Sequence, residues 1–239
     1  AIFRQLSANE PWTIEKKISE NSYDGFSLAI EREVFHNGWF EETMIKKSLL
    51  GISTWLNLNT LSNWSKQYPF QEKSKTIAVI MASNIPLVGF HDILCVLASG
   101  NKALIKLSSQ DKQLIPYILS KLSEIEPLFT EQFEFIERLK DFDAVIATGS
   151  NNTSRYFEYY FSKVPHIIRK NRNSIAFLNG NENREELKSL GHDIFDYFGL
   201  GCRNVSKVFV KNQEQLTQLL DALQSFEWVT NHHKYFNNY

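Results

Sequence analysis

The chain has 239 residues, a formal net charge of -1, 43% hydrophobic and 22% charged residues. That length holds one large domain or two small ones. The composition is that of a globular protein, and nothing in the balanced charge points to nucleic acid or an anionic membrane as the main partner. No stretch approaches the roughly 20 apolar residues of a membrane span, and no signal peptide is visible. Two cysteines, Cys95 and Cys202, are too few for a secreted disulfide scaffold, so a reducing compartment, the cytoplasm, is expected. The chain opens at Ala1 and closes on a polar aromatic run over 231–239, which gives the expectation of a fragment.

The first 70 residues read as helical. Trp39 and Phe40 with Met44, Leu49, Leu50 and Trp55 form an apolar stripe near helical spacing, with Glu41, Glu42, Lys46 and Lys47 on the polar side. A short helix is predicted over 58–68, broken by Pro69. From Lys75 the texture alternates. Residues 76–81 (TIAVIM) form a continuous apolar run, as a buried parallel strand does. Residues 86–98 read as a helix with Pro86 at its start and Gly100 just past its end. A strand follows over 103–107, then a helix over 111–123 with Pro116 as a blemish. Strands over 133–136 and 144–147 come next, and a helix over 151–162 begins directly after Thr148-Gly149-Ser150. Beyond these are a strand over 175–178, a helix over 184–198, a strand over 205–210 and an amphipathic helix over 213–226. This alternation predicts an α/β fold, a parallel sheet covered by helices on both faces.

Four segments carry candidate chemistry, and each alone has a plain structural reading. Asn84, in Ala82-Ser83-Asn84-Ile85-Pro86, would serve as a helix cap. Lys106, ending the segment that opens at Leu97-Ala98-Ser99-Gly100-Asn101-Lys102, would be a solvated strand-end charge. Thr148-Gly149-Ser150 is either a common turn or a phosphate cradle of free N–H groups before a helix. Cys202, in Gly199-Leu200-Gly201-Cys202-Arg203-Asn204, is either a small structural residue or a nucleophile whose flanking glycines let a ligand approach. Asn84 and Lys106 lie 22 residues apart, Lys106 and Ser150 44, Ser150 and Cys202 52.

In this order the four segments resemble the aldehyde dehydrogenase superfamily over roughly residues 75–225. Tyr197-Phe198-Gly199-Leu200-Gly201-Cys202-Arg203-Asn204-Val205-Ser206, the Asn84 motif and the segment Asn37-Gly38-Trp39-Phe40 resemble more closely the bacterial fatty acyl-CoA reductases of the LuxC type. The resemblance implies an aldehyde-dehydrogenase-like fold. It implies a helical N-terminal segment over 1–70, a dinucleotide-binding domain over 71–180 and the start of a second α/β, catalytic domain over 181–239. It also implies that Cys202 takes up an acyl group as a thiolate, the form favoured by nearby positive charge or helix termini. Asn84 and the Cys202 N–H would donate to the developing oxyanion. Lys106 would contact the adenosine ribose, and Thr148, Gly149 and Ser150 the pyrophosphate.

Two departures from the superfamily pattern are informative. Arg169 stands where hydrolytic members carry a water-activating glutamate, so deacylation by water is expected to be slow. Ser109 stands where NAD-preferring members carry a glutamate for the ribose 2′-hydroxyl. That favours NADPH, with NADH as the alternative. The implied activity is reduction of a long-chain fatty acyl-CoA or acyl-protein thioester to the aldehyde. The rival readings are a hydrolytic aldehyde dehydrogenase and a catalytically incomplete dinucleotide-binding fragment. An acyl-transferring partner enzyme and a homo-oligomer are further family implications.

The basic cluster Arg169, Lys170, Arg172 fits either phosphate contact or a solvated strand edge. Cys95, in an apolar helix, reads as core. The histidines at 36, 91, 166, 192, 232 and 233 lack metal-ligand spacing, so no metal is predicted. His91-Asp92 and His192-Asp193 are neighbours that point in different directions, so neither is expected to be a catalytic dyad.

Overall fold

The computed structural model describes residues 21–68 and 73–238, with side chains from Gly25 onward. The helical reading of residues 1–20 and the break at Pro69 fall outside them. Packing divides the chain after Lys170 into two compact units.

The first unit opens with α1 (Asn21–His36), α2 (Glu42–Trp55) and α3 (Leu58–Ser65). The predicted stripe is only partly the buried face. Met44, Ile45 and Ile52 are buried on α2, Leu50 is 70% exposed, and Trp39 and Phe40 precede the helix. Asn57 caps α3, accepting from the N–H groups of Asn59 and Thr60.

Five strands follow: β1 (Thr76–Ile80), β2 (Lys102–Lys106), β3 (Phe133–Phe135), β4 (Ala144–Thr148) and β5 (His166–Arg169). They form one sheet in the order β3-β2-β1-β4-β5, with every neighbouring pair parallel. Between them run α4 (Phe90–Ala98), α5 (Leu114–Ile125) and α6 (Asn151–Tyr160). Alternate residues of each strand point to opposite faces, and both faces are covered. Val79, Ala103 and Ile105 join Ile45, Ile52, Ile93, Leu114 and Leu119 in one core. Ala78, Val145 and Ala147 pack on the other side with Phe157, Phe161 and Ile168. The N-terminal helices therefore share the core of the sheet.

Three local differences have physical reasons. β5 was not predicted: it is an edge strand with His166 and Ile167 exposed, so it shows no continuous apolar run. α4 starts at Phe90 rather than at 86, because residues 86–89 form turns in which Leu87 is left-handed (φ 60°). Pro116 falls in the first turn of α5, where its missing N–H leaves no hydrogen bond unmade.

The second unit holds β6 (Ser174–Phe177), α7 (Arg184–Phe195), β7 (Val205–Phe209), α8 (Gln213–Leu223) and α9 (His233–Asn238). β6 and β7 pair in parallel. β6 thus belongs here, whereas the sequence division placed residues up to 180 with the first sheet. Asn183 and Glu186 form a capping box at the start of α7. Leu178, Leu187, Leu219 and Ala222 make the core. Among the described residues no helix is long and apolar enough to cross a membrane.

Ile45 is fully buried against the sheet core. Ile45→Ala is expected to cost about 2–5 kcal/mol, read as a lower denaturation midpoint. A midpoint within error of the parent would show that α2 is not part of that core.

Candidate active site

The carboxyl ends of the parallel strands form one edge of the first unit, and the sheet order reverses at β1, between β2 and β4. Ligands of open α/β sheets bind outside such an edge, at the point of reversal. Ile80 is in register with Lys106 on one side and Ala147 on the other. The segments that leave these three strands carry Asn84, Ser109 and Thr148-Gly149-Ser150. Six of the seven candidate residues therefore sit along one edge.

Asn84 is exposed and is not a helix cap, since α4 is preceded by Gly89. The Ser83 hydroxyl meets that of Ser108 at 2.6 Å, joining the β1 and β2 loops. Lys106 Nζ donates to the Glu137 carbonyl at 3.1 Å. The Ser109 carbonyl accepts from His36 Nε2 at 2.7 Å. Ser150 caps α6, accepting from the Thr153 N–H at 3.1 Å. The Gly149 N–H donates to the Arg169 carbonyl at 3.1 Å. The turn therefore does not offer all its N–H groups to a phosphate, and the remaining donors lie at the start of α6.

Arg169, at the end of β5, is held by an ion pair that sequence reasoning missed. Its Nη1 donates to both carboxylate oxygens of Asp92, a buried residue of α4. Lys170 pairs with Glu158 at 2.7 Å. Of the basic cluster, two cations thus have carboxylate partners inside the first unit, and Arg172 is exposed in the second. Nothing in the sequence ties residue 92 to residue 169. The one hint was an aspartate inside a largely apolar helix.

Cys95 lies half-buried on α4, 3.9 Å from both ring nitrogens of His91. Burial, and then the charge of Asp92, push its thiol up. A thiol held protonated is a poor nucleophile. His91 packs edge-on against Trp55.

Cys202 sits in the second unit on an exposed turn. The helix expected over 184–198 stops at Phe195, because Tyr197, Phe198 and Gly199 are all left-handed (φ 54°, 57° and 71°). Such a conformation costs roughly 1–2 kcal/mol for each residue with a Cβ. Only glycine takes it freely, which accounts for Gly199. Burial of Phe198, stacked on His232 at 4.2 Å, helps to hold it. Asn204 ties the loop together, and the sequence reading gave it no role. Its Nδ2 donates to the carbonyls of Asp193, Ile194 and Asp196, and its Oδ1 accepts from the Gly201 N–H at 2.8 Å. His192 faces Asp196 at 3.2 Å and is thus part of the same loop's anchoring.

The family model described as acyl-CoA reductase (LuxC) matches residues 42–225, well over half of the chain. The chain belongs to the acyl-CoA reductase (LuxC) family. Both the carboxyl edge and the Cys202 loop of this LuxC-family chain fall within the matched residues. No curated protein matches it. Solved structures with a similar fold are aldehyde dehydrogenases. ALDH21 of Physcomitrella patens, in complex with succinate, is 14% identical with a TM-score of 0.61, covering 86% of this chain and 51% of that one. KauB of Pseudomonas aeruginosa is 14% identical with a TM-score of 0.55, covering 87% and 55%. A mutant of the P. syringae indole-3-acetaldehyde dehydrogenase AldA, in complex with NAD+ and IAA, is 15% identical with a TM-score of 0.54, covering 85% and 50%. At these identities the likeness is one of fold. The chain spans about half the length of the solved structures it matches.

Asn204→Ala removes four hydrogen bonds from the Cys202 loop at once. A loss on the order of 2 kcal/mol is expected, with faster amide exchange over 199–204. Unchanged exchange in that stretch would show that the loop is held by Phe198 alone.

Proposed function

We propose that this protein reduces a fatty acyl-CoA or acyl-protein thioester to the aldehyde with a nicotinamide dinucleotide, through an acyl group carried on Cys202. The observation that supports it most is the family match spanning both the Asn84 edge and the Cys202 loop.

The Cys202 thiolate attacks the thioester carbonyl. A new carbon–sulfur bond forms, the bond to the donor sulfur breaks, and the donor leaves as its thiolate. Cys202 suits this step, being exposed on a turn that Asn204 and Phe198 keep in one shape. The Asn84 amide is the proposed donor to the carbonyl oxygen as it gains charge, together with the Cys202 N–H.

The residues at the sheet edge fit a dinucleotide. Lys106 provides a cation and Ser109 an uncharged position at the end of β2. The start of α6, after Thr148-Gly149-Ser150, provides unpaired N–H groups and the positive end of a helix dipole. The aldehyde dehydrogenase in complex with NAD+ has the same fold, which supports this cofactor class. A reduced nicotinamide dinucleotide held there by Lys106 and the start of α6 would supply a hydride for the acyl carbon. Serine at 109 places no carboxylate against a ribose 2′-phosphate, and Lys106 carries a matching charge, so NADPH is the proposed form and NADH the alternative.

Arg169 bears on the rival, hydrolytic reading. A guanidinium cannot take a proton from water, and its pairing with Asp92 occupies both groups. Water activation at that position is therefore removed, and the acyl-cysteine waits for reduction or for a thiol.

Incubation with a long-chain acyl-CoA and no nicotinamide is expected to add one acyl mass to the intact chain. The adduct should persist for many turnover times and be absent from Cys202→Ala. A folded parent without an adduct, or one that sheds it rapidly to water, contradicts the reading. Ser109→Glu brings a negative charge to the 2′-phosphate position and is expected to weaken NADPH relative to NADH by about tenfold or more, roughly the 1.4 kcal/mol of one added charge contact. An unchanged ratio in a binding titration would remove Ser109 from the cofactor site.

A further inference from the structure

Residues 107–113 carry the chain from the end of β2 to the start of α5, and their backbone is held from outside the sheet. Four of its polar groups find their partners at the end of α1. Glu33 Oε2 accepts from the N–H groups of Lys112 at 3.2 Å and Gln113 at 2.7 Å. His36 Nε2 donates to the Ser109 carbonyl at 2.7 Å, and Asn37 Nδ2 donates to the Gln110 carbonyl at 3.0 Å. A carbonyl can only accept, so His36 carries a hydrogen on Nε2. Residues 33, 36 and 37 are three and four positions apart, the spacing that puts side chains on one helix face. Asn37 continues that turn, since its N–H donates to the Glu33 carbonyl at 2.8 Å.

Two of the three side chains are withdrawn from solvent to make these contacts: Glu33 is 0% and Asn37 3% exposed. The Asn37 amide is fixed on both sides, because its Oδ1 accepts from the Trp39 N–H at 3.0 Å. This gives a role to the Asn37-Gly38-Trp39-Phe40 segment, which the acyl-transfer chemistry leaves without one. At the start of α5, Gln113 makes no cap bond with its own side chain. The Glu33 carboxylate supplies that cap from α1, where the positive end of the α5 dipole favours it. The same segment also meets the loop that carries Asn84. Asp111 Oδ2 accepts from the Leu87 N–H at 3.2 Å, and the Ser108 hydroxyl meets that of Ser83. Within this grip Ser109 itself stays exposed.

We propose that Glu33, His36 and Asn37 make the end of α1 a specificity element for the dinucleotide, fixing the 109–113 backbone so that Ser109 is presented to the ribose 2′ position. All three are positioning residues, because they act through that backbone. NADPH and NADH differ only in the group at the ribose 2′ position. A segment set loose at Ser109 therefore changes the ratio of the two affinities, whereas a clamp that served stability alone leaves that ratio unmoved. The proposal rests on the reading of Ser109 given above, while the hydrogen bonds do not.

His36 is exposed, so replacing it leaves the core intact. The test compares the whole protein with its His36→Ala, His36→Gln, Asn37→Ala and Ser109→Glu variants. Binding of NADPH and of NADH is titrated, and amide exchange over 109–113 is followed without dinucleotide. In His36→Ala that exchange should quicken, and NADPH should weaken relative to NADH about fivefold, the factor that one net hydrogen bond carries. Asn37→Ala, which frees the Gln110 carbonyl, should move both readouts the same way. His36→Gln keeps an N–H donor and should return both towards the parent. Unchanged exchange in His36→Ala overturns the clamp. Faster exchange with an unchanged ratio overturns its part in specificity. An equal loss in His36→Ala and His36→Gln assigns a direct charge contact to the imidazole and overturns positioning. If Ser109→Glu leaves the parent's ratio as it was, the Ser109 reading fails and takes the specificity role with it. A ratio that moves in Ser109→Glu but not in His36→Ala or Asn37→Ala sinks this proposal alone.

Discussion

Five parallel strands pair their backbones across the whole width of the first sheet and bury apolar side chains on both of its faces. Such a sheet has no polar surface within it. What it leaves approachable is the edge where each strand hands over to a loop. The residues proposed for the site in the first unit lie there: Asn84 after β1, Lys106 and Ser109 at the end of β2, and the Thr148–Ser150 turn after β4. The helices before the sheet serve that edge too. α1 and α2 bury Ile30, Ile45 and Ile52 in the sheet core, and the same α1 reaches the Ser109 segment through His36 and Asn37.

The second unit solves a different problem, that of keeping a cysteine exposed yet in one conformation. A regular helix running to position 198 would have placed Cys202 on a frayed end. Instead α7 stops at Phe195, the chain makes a left-handed turn, and Asn204 collects three carbonyls that the helix end leaves unpaired. The strain of Tyr197 and Phe198 is offset by the burial of Phe198 and by these hydrogen bonds.

Arg169 connects the chemistry to the fold. In the reductase reading the important feature at this position is what is missing, a base for water. The guanidinium does not stand idle there: it neutralises Asp92 inside α4, and its own carbonyl receives the Gly149 N–H. One residue thereby joins β5, the Thr148–Ser150 turn and the helix that follows Asn84. Removing it would uncover a buried charge as well as alter the site, which distinguishes it from an ordinary surface arginine.

The parallel α/β class was legible in the chain itself, because a strand buried on both faces must be a continuous apolar run and a crossover helix must follow it. TIAVIM over 76–81, the Gly-Ser turn before α6 and the order Asn84, Lys106, Ser150, Cys202 are local patterns, and the family could be read from them. β5 escaped because an edge strand needs no such run. The end of α7 escaped because left-handed residues other than glycine carry no sequence mark. Asp92 with Arg169, Glu33 with the Lys112 and Gln113 N–H groups, and Asn204 with its carbonyls were decided only by the tertiary structure. Each joins groups that are unremarkable along the chain. They become partners only when folding removes water from them and leaves each charge or N–H group no other way to be satisfied.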